Sequence, residues 1–235
     1  MNSALEIFWS SGSPNAWRVL LTAELKQIPY QSRLIEFSKQ DNKQPAFLEI
    51  NPRGKVPALR DGDYTLYESL AIMTYLDRKQ PEPALFGRTP QEYGRIWRTV
   101  CEFECYLRPA WEQMLLPVIF RELPAKTEQV RSQAIIVRGE IVKLEQQIGT
   151  HAWLCGDGVS AADLAIYPFL KFLVRVAAKD ELRALDLGLL PFESSYPRLA
   201  VWMTRVESLP GYERAYPPHW RADDKAKAAQ ATVPA

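Results

Sequence analysis

Residues 5 to 80 alternate short apolar runs with segments of helical period. Leu5-Glu6-Ile7-Phe8-Trp9 gathers large apolar side chains and stops at a Ser/Gly cluster, as a strand does. Val19 through Leu25 spaces its apolar residues as a helix face. Tyr30 to Phe37 alternates polar and apolar residues and predicts a second strand, and Asn42 to Ile50 predicts a short helix. Val56-Pro57-Ala58-Leu59-Arg60 and Tyr64-Thr65-Leu66 flank Asp61-Gly62-Asp63, a hairpin turn, and Leu70 to Leu76 is helical again. The predicted order is β-α-β-α-β-β-α.

Beyond residue 80 the pattern changes. Gln80-Pro81-Glu82-Pro83 breaks the helix and reads as a linker. Pro90 to Gln147 is helical, with interruptions expected near Pro117 and Pro124. Ser160-Ala161-Ala162-Asp163 opens another helix with a capping-box spacing. Tyr196 to Glu207 is a further short helix, and Arg221 to Ala235 is Ala/Lys-rich and expected to fray. No internal repeat is present. An α/β segment followed by an all-α segment predicts two domains, 1–80 and 88–220, with a flexible tail over 221–235.

Composition narrows the class of partner. The 235 residues carry a formal net charge of +1, so no global field draws the chain to nucleic acid or an anionic membrane. No apolar run approaches the roughly 20 residues needed to span a bilayer. The first eight residues lack a basic region and a long apolar stretch, so a secretory signal is not expected there. Cys101, Cys105 and Cys155 form no disulfide framework; they are expected as small buried residues in a reducing compartment. With only His151 and His219 beside them, no metal site is expected.

Four local signals remain: Ser13-Pro14-Asn15 after the first strand, Asn51-Pro52-Arg53-Gly54-Lys55-Val56-Pro57-Ala58-Leu59, Tyr67-Glu68-Ser69-Leu70-Ala71-Ile72, and Ser160 with Asp163. Each has a purely structural use. Pro14 suits a first helical position with Ser13 as its N-cap, Pro57 suits the start of an edge strand, and Ser69 suits a helix start. In this order and spacing they resemble the soluble glutathione transferases, over nearly the whole chain from Leu5 to about Tyr216. The likeness is to serine-type members, with features of the Theta, Delta and Zeta classes and of the Nu class and its yeast prion-like relative.

The resemblance implies an N-terminal thioredoxin-like domain that binds glutathione and a C-terminal all-helical domain that shapes the second substrate's pocket. It makes Ser13 and Asn15 the thiol contacts, with Ser10 and Ser11 as nearby rivals. A serine hydroxyl can accept from a helix amide and still donate to a thiolate, and the helix N-terminus favours negative charge. Val56, before a cis Pro57, is expected to pair its backbone with the cysteinyl unit. Glu68 is expected on the γ-glutamyl amino group and Ser69 on its carboxylate. Ser11, Asn42 and Lys55 join the expected glutathione contacts, with Asn42, Lys43 and Lys55 near the glycine carboxylate. Tyr106, Arg108 and Trp111 are expected to line the electrophile pocket, though Phe103, Tyr106, Trp111 and Met114 suit a core equally well. Ser160 and Asp163 are expected to serve folding.

The activity so implied is attack of an activated glutathione thiolate on an electrophilic small molecule, in a cytoplasmic homodimer. Two alternatives stay open: a disulfide reductase or peroxidase of the Nu type, working through bound glutathione alone, and a non-catalytic glutathione-binding protein of the same fold.

Overall fold

The computed structural model describes residues 5–231, with side chains through residue 224. Residues 1–4 of the expected first domain and 232–235 of the expected tail lie outside the described residues. The chain divides into two compact units, residues 1–83 with 208–235, and residues 84–207.

In the first unit, β1 (Glu6–Trp9), α1 (Pro14–Leu25), β2 (Gln31–Leu34), α2 (Pro45–Leu48), β3 (Ala58–Asp61), β4 (Tyr64–Tyr67) and α3 (Ser69–Lys79) follow the predicted order. The sheet runs β2-β1-β3-β4, with β1 and β2 parallel and the other neighbours antiparallel. The β3–β4 hairpin turns on Gly62 and Asp63, with Gly62 at φ 65°, where a residue lacking Cβ is least strained. The predicted helix over 42–50 is split into a 3-10 turn, Asp41–Lys43, and the one-turn α2. Pro45 is the reason: Gln44 takes the extended conformation (ψ 141°) that a following proline imposes.

Phe8, Ala16, Ile35, Phe47, Ile50, Val56 and Ala58 form one buried cluster, with Trp9 and Tyr67 packed on it. This cluster ties the end of β1, the start of α1 and the approach to β3 to one another.

The second unit holds α4 (Pro90–Glu102), one π turn (Phe103–Leu107), α5 (Arg108–Ile119), α6 (Leu123–Ile148), α7 (Ala161–Ala177), α8 (Asp180–Arg183), α9 (Phe192–Ser195) and α10 (Pro197–Glu207). The interruption expected near Pro117 falls later. Pro117 sits inside the last turns of α5, and the chain breaks at Phe120–Glu122, with Arg121 at φ 60°. Pro109 accounts for the unpredicted π turn, since a proline cannot donate back and crowds the carbonyl four residues earlier.

α7 is buried over most of its surface, and its start is closed by the expected box. Asp163 accepts from Ser160 N at 2.8 Å, Ser160 Oγ at 2.7 Å, Leu154 N at 2.9 Å and Trp202 Nε1 at 2.8 Å. Burial pushes its carboxyl up, and these four donors oppose that.

Two expectations are corrected here. Cys101 and Cys105 are exposed instead of buried, because they fall on the outer side of α4 and the π turn; all three cysteines are free thiols. Residues 208–220, expected with the helical domain, cluster with the first unit. There α11 (Tyr212–Ala215) packs on α1, and α12 (Pro218–Ala231) continues as helix through much of the segment expected to fray. Among the described residues no helix is long and apolar enough to cross a membrane.

Candidate functional site

α1 begins where the Ser10–Ser13 loop leaves the sheet. Ser13 is extended (ψ 113°) and accepts from Ala16 N at 3.3 Å, with Pro14 as the first helical residue. Ser13 therefore spends one lone pair on its cap and keeps a hydroxyl hydrogen to donate.

Asn15 follows on the first turn. Its Oδ1 accepts from Arg18 Nη2 at 3.0 Å and from Ser69 Oγ at 3.4 Å. A guanidinium only donates, so the amide oxygen faces Arg18 and the amide NH2 is left to donate elsewhere. Arg18 Nε also donates to Ser69 Oγ at 2.9 Å, and Arg18 is 2% exposed. One buried cation thus links the start of α1 to the start of α3.

Arg18 was not among the predicted site residues. The available signal was a charged residue between Trp17 and Val19 in an apolar helix run, since arginine is seldom fully buried unless paired.

Ser69 is buried at the first position of α3, with its backbone N–H at a helix N-terminus, a setting that favours a carboxylate. Its hydroxyl is engaged with Arg18 and Asn15, so the backbone N–H is its remaining donor. Glu68, which precedes it, is held at φ 69°, ψ 112°, a conformation that costs a non-glycine residue about 1 kcal/mol or more. Its carboxylate is exposed and lies 4.0 Å from Arg53.

The segment before β3 is framed by Asn51, which is buried. Its Nδ2 donates to Lys55 O at 2.6 Å, and its Oδ1 accepts from Arg53 N at 3.1 Å. Asn42 Nδ2 donates to Gly54 O at 2.8 Å, so Asn42 braces this loop instead of standing free. Gly54 has φ +60°, and a Cβ there would lie 2.9 Å from Asn42 O and 3.5 Å from Lys43 Nζ. Lys43 thus rests on the loop, and Lys55 is exposed beside it. The Val56–Pro57 peptide is cis, and both residues are buried. Ser11 is bonded to His219 Nδ1 at 2.6 Å.

The three expected pocket residues of the second unit differ among themselves. Tyr106 is 61% exposed. Arg108 is half-buried, paired with Glu104 at 2.5 Å and Glu112 at 3.1 Å, and lies over the Phe169 ring. Trp111 is 4% exposed, donates Nε1 to Phe169 O at 3.0 Å and packs edge-on against the Phe169 ring, so its surface is taken up by the helical core. Phe103 and Met114 are core as well.

A thioredoxin-like sheet whose two helix starts share one buried arginine, followed along the chain by an all-helical unit, defines a fold class. The comparisons narrow that class. Residues 12–79 match the model of the glutathione S-transferase N-terminal domain, and residues 127–205 match that of the C-terminal domain. The chain is 32% identical over 211 residues to glutathione S-transferase theta-3 of Mus musculus, covering 87% of this chain and 82% of that protein. It is 30% identical to theta-1 of Homo sapiens, over 88% and 84% of the two chains. Among solved structures, poplar glutathione transferase F1 aligns with a TM-score of 0.77 at 26% identity, over 91% of this chain and 96% of that one. A glutathione S-transferase of the Antarctic clam Laternula elliptica aligns equally well, also at 26% identity. The chain belongs to the glutathione S-transferase family.

Proposed function

We propose that this chain is a glutathione transferase that ionises the thiol of bound glutathione at the first turn of α1 and directs the thiolate at an electrophilic small molecule. The observation that carries the reading is the Ser13–Asn15–Arg18–Ser69 constellation. It leaves a hydroxyl hydrogen on Ser13 and an amide NH2 on Asn15 unspent beside the N-terminus of α1.

The chemistry follows from that supply of donors. A free cysteine thiol ionises near pH 8.5, and a helix N-terminus with nearby donors lowers that value by one or more units. The thiolate fraction at neutral pH rises accordingly, and the bound nucleophile needs no base of its own. In this reading the tripeptide's α-carboxylate takes the Ser69 N–H and the α3 N-terminus, and Glu68 pairs with the α-amino group. Val56 meets the cysteinyl backbone, and Lys55 with Lys43 serves the glycine carboxylate. Ser11 and Asn42 then act as supports of the two loops. Tyr106 is the favoured electrophile contact. The family likeness supports a homodimer and a cytosolic location, and the reading requires no metal.

A second reading is reduction of disulfides through bound glutathione. It is favoured by the Ser-Pro-Asn order; the lack of any cysteine before Cys101 removes a mixed disulfide on the first unit and leaves only reduction through glutathione itself.

Calorimetry with glutathione, followed by turnover on a panel of electrophiles and disulfides, tests both. Uptake with thioether products supports the transferase, uptake with disulfide turnover alone supports the reductase, and no uptake ends both readings.

A further inference from the structure

The loop that delivers Ser13 has a long-range attachment that its own sequence does not suggest. Within the loop, Ser13 N donates to Ser10 O at 3.2 Å, a local turn. The distant tie is His219, whose Nδ1 lies 2.6 Å from Ser11 Oγ, across 208 positions of sequence. The imidazole also rests on Gly12. That residue has φ +80°, and a Cβ there would lie 2.7 Å from His219 Cε1 and 3.1 Å from Nε2. Ring and loop backbone therefore touch with no side chain between them.

His219 is itself held in place. Trp17 of α1 meets Tyr216 at 5.6 Å and Trp220 at 5.4 Å, both edge-on, and Trp17 and Trp220 are buried. Arg214 pairs with Glu24 at 2.5 Å. The aromatic cluster and the ion pair clamp residues 211–220 along α1, and the imidazole is carried in on that clamp.

Resting on the glutathione reading above, we propose that His219 is a positioning residue for the thiol: by bonding Ser11 and covering Gly12 it fixes the Ser10–Ser13 loop and leaves Ser13 as the hydroxyl for the sulfur. The chemistry separates the two rival serines. In the Nε2–H tautomer that we assign to His219, Nδ1 accepts the Ser11 hydroxyl hydrogen and keeps it from a sulfur anion. The Ser13 hydroxyl hydrogen has no such claim on it. Loss of the imidazole frees Ser11 to rotate and lets the loop relax, so that Ser13 meets the thiolate less often.

The test compares the wild type with His219→Phe, which keeps a ring over Gly12 but loses the hydrogen bond, and His219→Asn, which keeps a polar atom near the Nδ1 position. The ultraviolet absorbance of bound thiolate is titrated with pH, kcat and the KM for glutathione are measured on one electrophile, and amide exchange of residues 11–13 is followed without glutathione. The structure predicts that His219→Phe raises the titration midpoint of the bound thiol and lowers kcat about fivefold, the value of one net hydrogen bond, with KM for glutathione little changed. Exchange at 11–13 speeds up, and His219→Asn restores most of each quantity. A His219→Phe protein that titrates and turns over like the wild type overturns the proposal, as does a His219→Asn protein as impaired as His219→Phe. A wild type that takes up no glutathione overturns the underlying reading and the thiol role together. Glutathione bound alike by all three proteins, with one titration midpoint, overturns the role of His219 alone.

Discussion

The first turn of α1 and the first turn of α7 use the same device, a serine N-cap with a polar partner on the helix, and put it to opposite uses. At α7 the box is closed. Asp163 is buried and takes four donors, one of them from Trp202 on α10, so no hydrogen-bonding capacity is left for a ligand. At α1 the polar side chain is an amide, and it bonds Arg18 and Ser69 instead of the capping serine. Arg18 turns the oxygen of Asn15 inward, and the donors of Ser13 and Asn15 are left over. A helix start becomes a site when its donors outnumber its acceptors and it stays open to solvent; when they balance in the dry interior, it becomes a staple. Residue type alone does not separate the two cases.

The sharpest way to break this comparison is at the staple. Asp163→Ala removes the acceptor of four bonds and leaves Leu154 N and Trp202 Nε1 buried without it. We expect a loss of about 3–4 kcal/mol, enough to threaten folding, read as the urea midpoint. A loss below about 1 kcal/mol would show that the box is not closed.

Ser13→Ala is the counterpart at the open start. The expected result is a fall of about 10- to 100-fold in kcat/KM, the value of a hydrogen bond to an ionised sulfur, with a stability cost of only about 1 kcal/mol from the lost cap. Equal losses of stability and activity would erase the distinction between the two starts. Ser160→Ala sharpens it from the other side: about 1 kcal/mol of stability is lost, read in the same urea titration, and kcat/KM stays at the wild-type value.

The smallest effect calibrates the others at a place neither helix start touches. At the β3–β4 hairpin, hydrogen bonds from the Lys79 ammonium and the Tyr75 hydroxyl hold the Asp61 carboxyl below its usual range. Because its folded value lies below its unfolded one, its contribution is complete above about pH 4 and disappears as pH falls through the lowered value. Asp61→Asn should flatten the acid limb of the stability–pH curve by roughly 0.5–1 kcal/mol, the scale of a partly exposed pair. An unchanged acid limb would remove Asp61 from the account.

Much of this was legible in the chain. The hairpin at Gly62 and the Ser160/Asp163 box are local patterns whose spacing decides the turn or cap they form, whereas the cis Val56–Pro57 peptide was expected from the family resemblance. Other features needed distant partners. Arg18 reads as an anomaly in an apolar run until Ser69, 51 positions on, lies beside it. Trp111 and Tyr106 look interchangeable in sequence, yet one is sealed against Phe169 and the other is exposed. Helical periodicity also gave no warning that Cys101 and Cys105 would face solvent.

The sequence by itself determined the order of strands and helices in the first unit, the Ser13 and Ser160 caps, and the likeness to the family to which the chain belongs. The order and the caps depend on backbone preferences and apolar periods that act within a few residues, and the likeness rests on four motifs in one order and spacing. The tertiary structure alone decided which polar groups at those caps are spent and which are spare, and that residues 208–220 return to α1 to bring His219 onto the Ser10–Ser13 loop. That choice is a matter of packing and hydrogen-bond pairing between segments far apart in the chain, on which local propensity has no hold.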